Sequence, residues 1–150
     1  MDASKHAVTY FKQGYSCSQS VLAAFSERFG LQQDQALRVA AAFGGGMARA
    51  GETCGAVTGA LMALGLFAGS IDPDDKAAKE RTYALAQDFM TRFRARFGNL
   101  DCRCLLGVDL SEPGSAQVAR DQGLFNSVCP GLVQGASEIL TEILREQTNS

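Results

Sequence analysis

The longest uncharged stretch of the chain, Thr53 to Ile71, decides most of what it can fold into. It is long enough to cross a bilayer as a helix, so it reads either as a membrane span or as a helix buried in protein. Gly55, Gly59, Gly65 and Gly69 interrupt it, and Thr53, Cys54, Thr58 and Ser70 make it partly polar. Leu and Phe are too few for strong lipid preference, and no aromatic belt flanks it. Small residues at such spacing let neighbouring helices approach closely. A buried helix packed by others is therefore expected, with no membrane span.

The rest of the chain supplies those neighbours. Residues 2–13 form an apolar stripe of Ala7, Val8, Tyr10 and Phe11, stopped by Gly14. Ser16 and Gln19 have the spacing of a capping box, and Val21, Leu22, Phe25 and Phe29 continue at helical period until Gly30. A third helix is expected from Asp34 to Phe43, with Ala36, Leu37, Ala40 and Ala41 inward. The buried helix spans Thr53 to Ala68. A long helix starts near Pro73 and ends near Phe97, with Ala78, Leu85, Phe89, Phe93 and Phe97 inward. Asp72, Asp74 and Asp75 suit its start, and Arg92, Arg94 and Arg96 a solvated end favourable to the dipole. Asp101 caps a short helix through Leu106, and residues 107–128 read as loop with one helical turn before Gly123. Pro130 starts a final helix carrying Leu132, Val133, Ala136, Leu140, Ile143 and Leu144. No strand pattern and no repeat is present. The expectation is one all-α domain over residues 1–150, a bundle of about five to seven helices around the Gly/Ala-rich one.

Composition removes several functions. Fourteen basic against sixteen acidic residues leave a net charge of −2, which argues against a nucleic-acid platform. The single histidine, His6, lies at the terminus, so no Ser-His-Asp hydrolase site can be assembled. Gly44-Gly45-Gly46 has neither the strand nor the lysine of a phosphate loop, and no dinucleotide fingerprint follows a strand. These glycines are expected to allow tight turning and close backbone approach around Cys54, with Arg49 placed to counter a negative charge. No export signal is apparent, so a reducing cytoplasmic setting is expected and the cysteines are not a structural disulfide framework.

The five cysteines, Cys17, Cys54, Cys102, Cys104 and Cys129, match no CxxC, zinc or ferredoxin spacing. Their places relative to the helices are more informative. Cys17 follows Ser16, Cys54 follows Thr53, Cys102 follows Asp101, and Cys129 sits at the cap before Pro130. Four cysteines thus fall at four helix starts, where free N–H groups and the positive dipole end favour a thiolate. Cys104 would point away from Cys102 on a helix and is expected to lie outside the site.

At these residues the chain resembles the C_GCAxxG_C_C family of small redox-active proteins, from about Gly14 to Leu144. Cys17 matches in Gly14-Tyr15-Ser16-Cys17. Cys54 opens Cys54-Gly55-Ala56-Val57-Thr58-Gly59, preceded by Gly44-Gly45-Gly46-Met47. Cys102 matches ahead of Leu105-Leu106-Gly107, and Cys129 in Val128-Cys129-Pro130. Cys104 departs from the family, which typically has a polar residue there. The resemblance implies redox activity carried by the four cysteines and supplies no substrate. Related domains occur beside haem and iron–sulfur carriers.

Three functions follow as expectations. The first is thiol–disulfide exchange or redox sensing, making the chain a candidate oxidoreductase that needs no cofactor. Cys54 attacks, another of Cys17, Cys102 and Cys129 resolves, and the partner is a redox protein or a small thiol or disulfide. The second is an iron–sulfur cluster or other thiolate-bound metal with Cys17, Cys54, Cys102 and Cys129 as ligands. Gly45, Gly46 and Gly55 are the candidate backbone contacts to a cofactor. The third is a non-catalytic interaction domain, dimeric in one form, whose buried thiols are inert.

Overall fold

A computed structural model describes residues 2–149. Its elements are α1 (Ala3–Lys12), α2 (Cys17–Ser26), α3 (Gln33–Val39), α4 (Gly55–Ala68), α5 (Lys76–Phe97), α6 (Cys102–Leu106), α7 (Ser115–Asp121), α8 (Leu124–Ser127) and α9 (Cys129–Thr148). Short 3-10 turns follow α2 at Glu27–Phe29 and α3 at Ala41–Phe43. Among the described residues the only extended pairing is an isolated antiparallel bridge, Thr53 to Asp101. The all-helical expectation holds. Among the described residues no helix is long and apolar enough to cross a membrane.

The uncharged stretch becomes α4, whose residues Gly55 to Ala60, Ala63, Leu64 and Ala68 are buried. It packs on α2, α5 and α9, while α1 lies against α2 and α9. The approach to α2 is set by missing side chains. A Cβ on Gly59 would come within 2.6 Å of the Ser18 carbonyl oxygen, and one on Gly55 within 2.9 Å of the Ser18 amide. Val21, Leu22, Phe25, Phe89, Phe93, Leu140 and Ile143 complete this first core.

The capping box forms as expected: the Ser16 amide donates to Gln19 Oε1 at 3.0 Å, and the Gln19 amide to Ser16 Oγ at 3.4 Å. Two further bonds from this turn explain why α3 stops before Phe43. Ser18 Oγ donates to the Ala40 carbonyl at 3.0 Å, and Gln19 Nε2 to the Leu37 carbonyl at 2.8 Å. With the Leu37 and Ala40 carbonyls bonded to α2, the Phe43 amide closes a 3-10 turn onto Ala40 at 3.1 Å, and Ala41 faces solvent rather than the core.

Beyond that turn the chain makes an unusual excursion. Gly45, Gly46, Met47, Ala48 and Arg49 have φ of +67°, +69°, +67°, +52° and +65°. Five consecutive left-handed residues are tolerated because the carbonyls of Phe43, Gly44, Gly45 and Gly46 accept from Met47, Arg49, Gly51 and Glu52. L-residues resist this conformation, so Ala48→Gly is expected to raise stability by about 0.5–1 kcal/mol, measured as a higher urea midpoint at unchanged slope.

The arginines of α5 are more than a solvated helix end. Arg92 bonds Asp88 one turn back and Glu146 on α9, and Arg96 reaches Glu138. Arg92→Ala is expected to cost about 1 kcal/mol, with the loss shrinking in high salt because the pairs are partly exposed.

The segment 107–128, expected to be mostly loop, folds into α7 and α8. Gly114 and Gly123 precede them in left-handed conformation. Leu110 and Ala119 from this segment join Cys102, Leu106 and Cys129 in a second, smaller core. Phe11, Cys17 and Val128 pack against both cores.

Candidate functional site

All four cysteines of the expected set sit at helix starts. Cys17 is the first residue of α2 and Cys102 of α6, and Cys54 is the N-cap of α4. Cys129 is the first residue of α9 rather than its cap, because Val128 already has helical backbone and fills that position. α4 starts at Gly55 rather than at Thr53, whose backbone is drawn into the bridge with Asp101.

That bridge registers two cysteines against each other. The Cys54 amide donates to the Leu100 carbonyl at 2.8 Å, and the Cys102 amide to the Glu52 carbonyl at 2.6 Å. Arg103 braces the same crossing, donating from Nε to the Gly51 carbonyl at 3.1 Å and pairing with Glu52. A Cβ on Gly46 would lie 2.6 Å from the Cys102 Cβ, so the left-handed loop closes directly over this thiol.

The four cysteines line one cavity of about 550 Å³ at the seam between the two cores. Gly45, Gly46, Gly55 and Arg49 also line it. Phe11, Tyr15, Leu110 and Phe125 form apolar walls that sequence reading did not single out as a site. Phe11 reads as ordinary core, and Phe125 lies in the stretch read as loop. Cys104 is exposed and lies outside the cavity, as expected from its place two residues after Cys102. All five cysteines are free thiols.

The thiols differ electrostatically, which corrects the expectation that every helix start lowers the pKa. The neighbouring thiols of Cys129 and then Cys54, followed by burial, push the Cys17 thiol well above the ordinary range. Cys54 is lowered, first by the Cys17 thiol and then by the backbone N–H groups of Ala56 and Val57, against the opposing effect of burial. Neither N–H makes a full capping bond to the sulfur, so the Cys17 donor is the larger influence. Cys102 is pushed up to about 12, mainly by burial and also by Cys54, Cys129 and Asp109. Its five-residue helix supplies too little dipole to oppose this.

The Cys102 shift has a consequence for stability. An unfolded cysteine ionises near the ordinary value, while folded Cys102 stays protonated to about pH 12. Its contribution is therefore complete below the ordinary value and is lost as pH rises from there toward 12. Thermal unfolding between pH 9 and 11 should show a fall in Tm that is shallower in Cys102→Ala.

Among the described residues no group of three or more His, Cys, Asp or Glu side chains is gathered closely enough to hold a metal ion.

A family model described as "Putative redox-active protein (C_GCAxxG_C_C)" matches residues 15–143. No curated protein and no solved structure matches the chain. The matched span holds the whole left-handed loop and all five cysteines.

Proposed function

Since the chain belongs to the C_GCAxxG_C_C family of redox-active proteins, we propose that it exchanges disulfides through Cys54 and Cys17. Cys54 is the attacking thiolate and Cys17 the resolving thiol. The observation that carries this reading is their shared place: both line one cavity, and a Cβ on Gly55, the residue after Cys54, would lie 3.3 Å from the Cys17 Cβ; the two thiols are also pushed in opposite directions.

The chemistry runs in two displacements. The Cys54 thiolate attacks one sulfur of a disulfide, forming a mixed disulfide and expelling a thiolate. Cys54 then no longer carries the negative charge that holds Cys17 protonated. The expelled thiolate takes the Cys17 proton, and the Cys17 thiolate attacks the Cys54 sulfur. A Cys17–Cys54 disulfide forms and the second thiolate leaves, to be protonated by water. The substrate gains two electrons and the cysteine pair loses two. Excess small thiol restores the dithiol by the reverse sequence. Cys129, the other neighbour of Cys17, is a third thiol within reach of exchange.

The four cysteines around one cavity would otherwise suit an iron–sulfur cluster, which would supply one-electron transfer on those ligands. Two measurements on Cys104→Ser protein separate the readings. Purified without oxygen, it should be colourless and hold four titratable thiols. After reaction with a small disulfide it should hold two, with no added mass. Visible bands that bleach with dithionite would overturn the dithiol reading in favour of a cluster. Thiols that react only on unfolding would overturn it in favour of an inert helical domain.

A further inference from the structure

The walls of the thiol cavity carry information about what enters it. Cys54 is only 4% exposed, so a disulfide must reach it through the cavity. A space of about 550 Å³ is of small-molecule size. The lining is apolar and aromatic over much of its area, through Phe11, Tyr15, Leu110 and Phe125.

Against that background one charge stands out. Among the described residues lining the cavity, Arg49, itself exposed, is the only Lys, Arg, Asp or Glu and so the only cation. It makes no ion pair among the described residues, in contrast to Arg92, Arg96 and Arg103. Its position is built: Arg49 is the last of the five left-handed residues, and its amide is tied to the Gly44 carbonyl. A Cβ on Gly45 would lie 2.9 Å from Arg49 Cγ, so glycine there lets the stem of the arginine lie along the loop at the cavity. A neighbouring groove that shares Phe11, Gly14, Tyr15 and Phe125 with the cavity adds Lys12 and no carboxylate. Neither Asp109, engaged by Ser111 and Arg103, nor Glu52, paired with Arg103, lines the cavity.

Resting on the dithiol reading, we propose that the substrate is a low-molecular-weight disulfide bearing a carboxylate, which Arg49 binds while the disulfide is presented to Cys54. Arg49 is then the residue that sets charge specificity. It touches the substrate's anionic end and takes no part in the displacement at sulfur, whose electron and proton balance is that given above.

The test uses reduced Cys104→Ser protein at low ionic strength with three small disulfides: dithiodiglycolate (anionic), hydroxyethyl disulfide (neutral) and cystamine (cationic). Each rate of Cys17–Cys54 disulfide formation is divided by that disulfide's rate with free mercaptoethanol. The normalised rates should fall in the order anionic, neutral, cationic, with about fivefold between the first two for a partly solvated ion pair. Arg49→Gln, which keeps a side chain of similar reach on the same backbone, should bring the anionic-to-neutral ratio close to one. Arg49→Lys should keep most of it, and high salt should erode it in the parent protein. Equal normalised rates for the three disulfides, or a preference that survives in Arg49→Gln, would overturn the inference and leave the dithiol chemistry standing. Faster reaction with the disulfides of insulin than with any of the three would overturn the small-molecule class. If none of the disulfides forms the Cys17–Cys54 bond, the dithiol reading itself fails.

Discussion

Replacing Cys54 by serine is expected to lower the rate of oxidation by small disulfides at pH 7 by about fiftyfold or more. The size follows from the thiolates that remain. Cys102, which lines the same cavity without a donor thiol, is held up to about 12. Relative to a thiol of even ordinary pKa, this costs three units of thiolate population, partly offset because more basic thiolates are better nucleophiles, which leaves about fiftyfold. Cys102→Ser should change the same rate far less. In the parent protein the rate should rise with pH through the Cys54 ionisation and level off below the ordinary thiol range, because Cys54 is lowered. Cys17→Ser should separate the two displacements. The first step still occurs, and the small thiol remains attached at Cys54, visible as added mass. Cys17→Ala, which leaves no hydroxyl to donate in place of the thiol, should shift the pH profile upward, since the largest influence holding Cys54 down is the Cys17 donor.

Gly59→Ala is expected to be the most damaging single methyl group in α4. Its Cβ would stand 2.6 Å from the Ser18 carbonyl oxygen and 3.2 Å from the Ser18 Cα. Both are backbone atoms of α2, so relief requires the helices to separate rather than a side chain to turn. Overpacking of this kind costs about 1–3 kcal/mol. Separation would also draw Cys17, one residue before Ser18, away from Cys54, so exchange activity should fall along with stability. Gly65→Ala is the matched control. Nothing lies within 4 Å of its Cβ, and replacing a helix-interior glycine with alanine gains about 0.5–1 kcal/mol. Urea unfolding of the two variants should therefore move the midpoint in opposite directions.

Much of the helical order is legible because it is written in local chemistry. Ser16 and Gln19 announce the start of α2, Gly30 and Gly98 mark left-handed ends, and the uncharged Thr53–Ile71 stretch announces a helix that must be buried. What the local pattern omits is who competes for a carbonyl. Ala40 looks like mid-helix, yet its oxygen accepts from Ser18, twenty-two residues away, and from the Phe43 amide in a 3-10 turn. The segment around α7 and α8 is short of helical signals, yet its Leu110, Ala119 and Phe125 face the second core. The arginine pairs from α5 to α9 likewise depend on a crossing that neither helix encodes alone.

The site shows the same division. Cysteines next to Ser16, Thr53, Asp101 and Pro130 can be placed at helix starts from neighbouring residues. Their shared cavity and their unequal acidity cannot. Helix-start position alone suggests four acidic thiols, but desolvation and the crowding of sulfur on sulfur dominate for Cys17 and Cys102. Cys54 has a donor thiol and two backbone N–H groups together against the cost of burial. Three consecutive non-glycine residues at positive φ, Met47 to Arg49, are invisible in sequence because nothing in their identity favours that backbone. They are imposed by the hydrogen bonds around them, and they place the one cation at the cavity.

The central claim is that Cys54 and Cys17 form the redox pair. Peptide mapping of the Cys104→Ser protein after stoichiometric oxidation by hydroxyethyl disulfide, with free thiols alkylated at once, tests it directly. The predicted result is a cross-linked peptide pair containing Cys17 and Cys54, with Cys102 and Cys129 alkylated. A Cys102–Cys129 bond with Cys17 and Cys54 both alkylated, or four alkylated cysteines after exposure to oxidant, would contradict it.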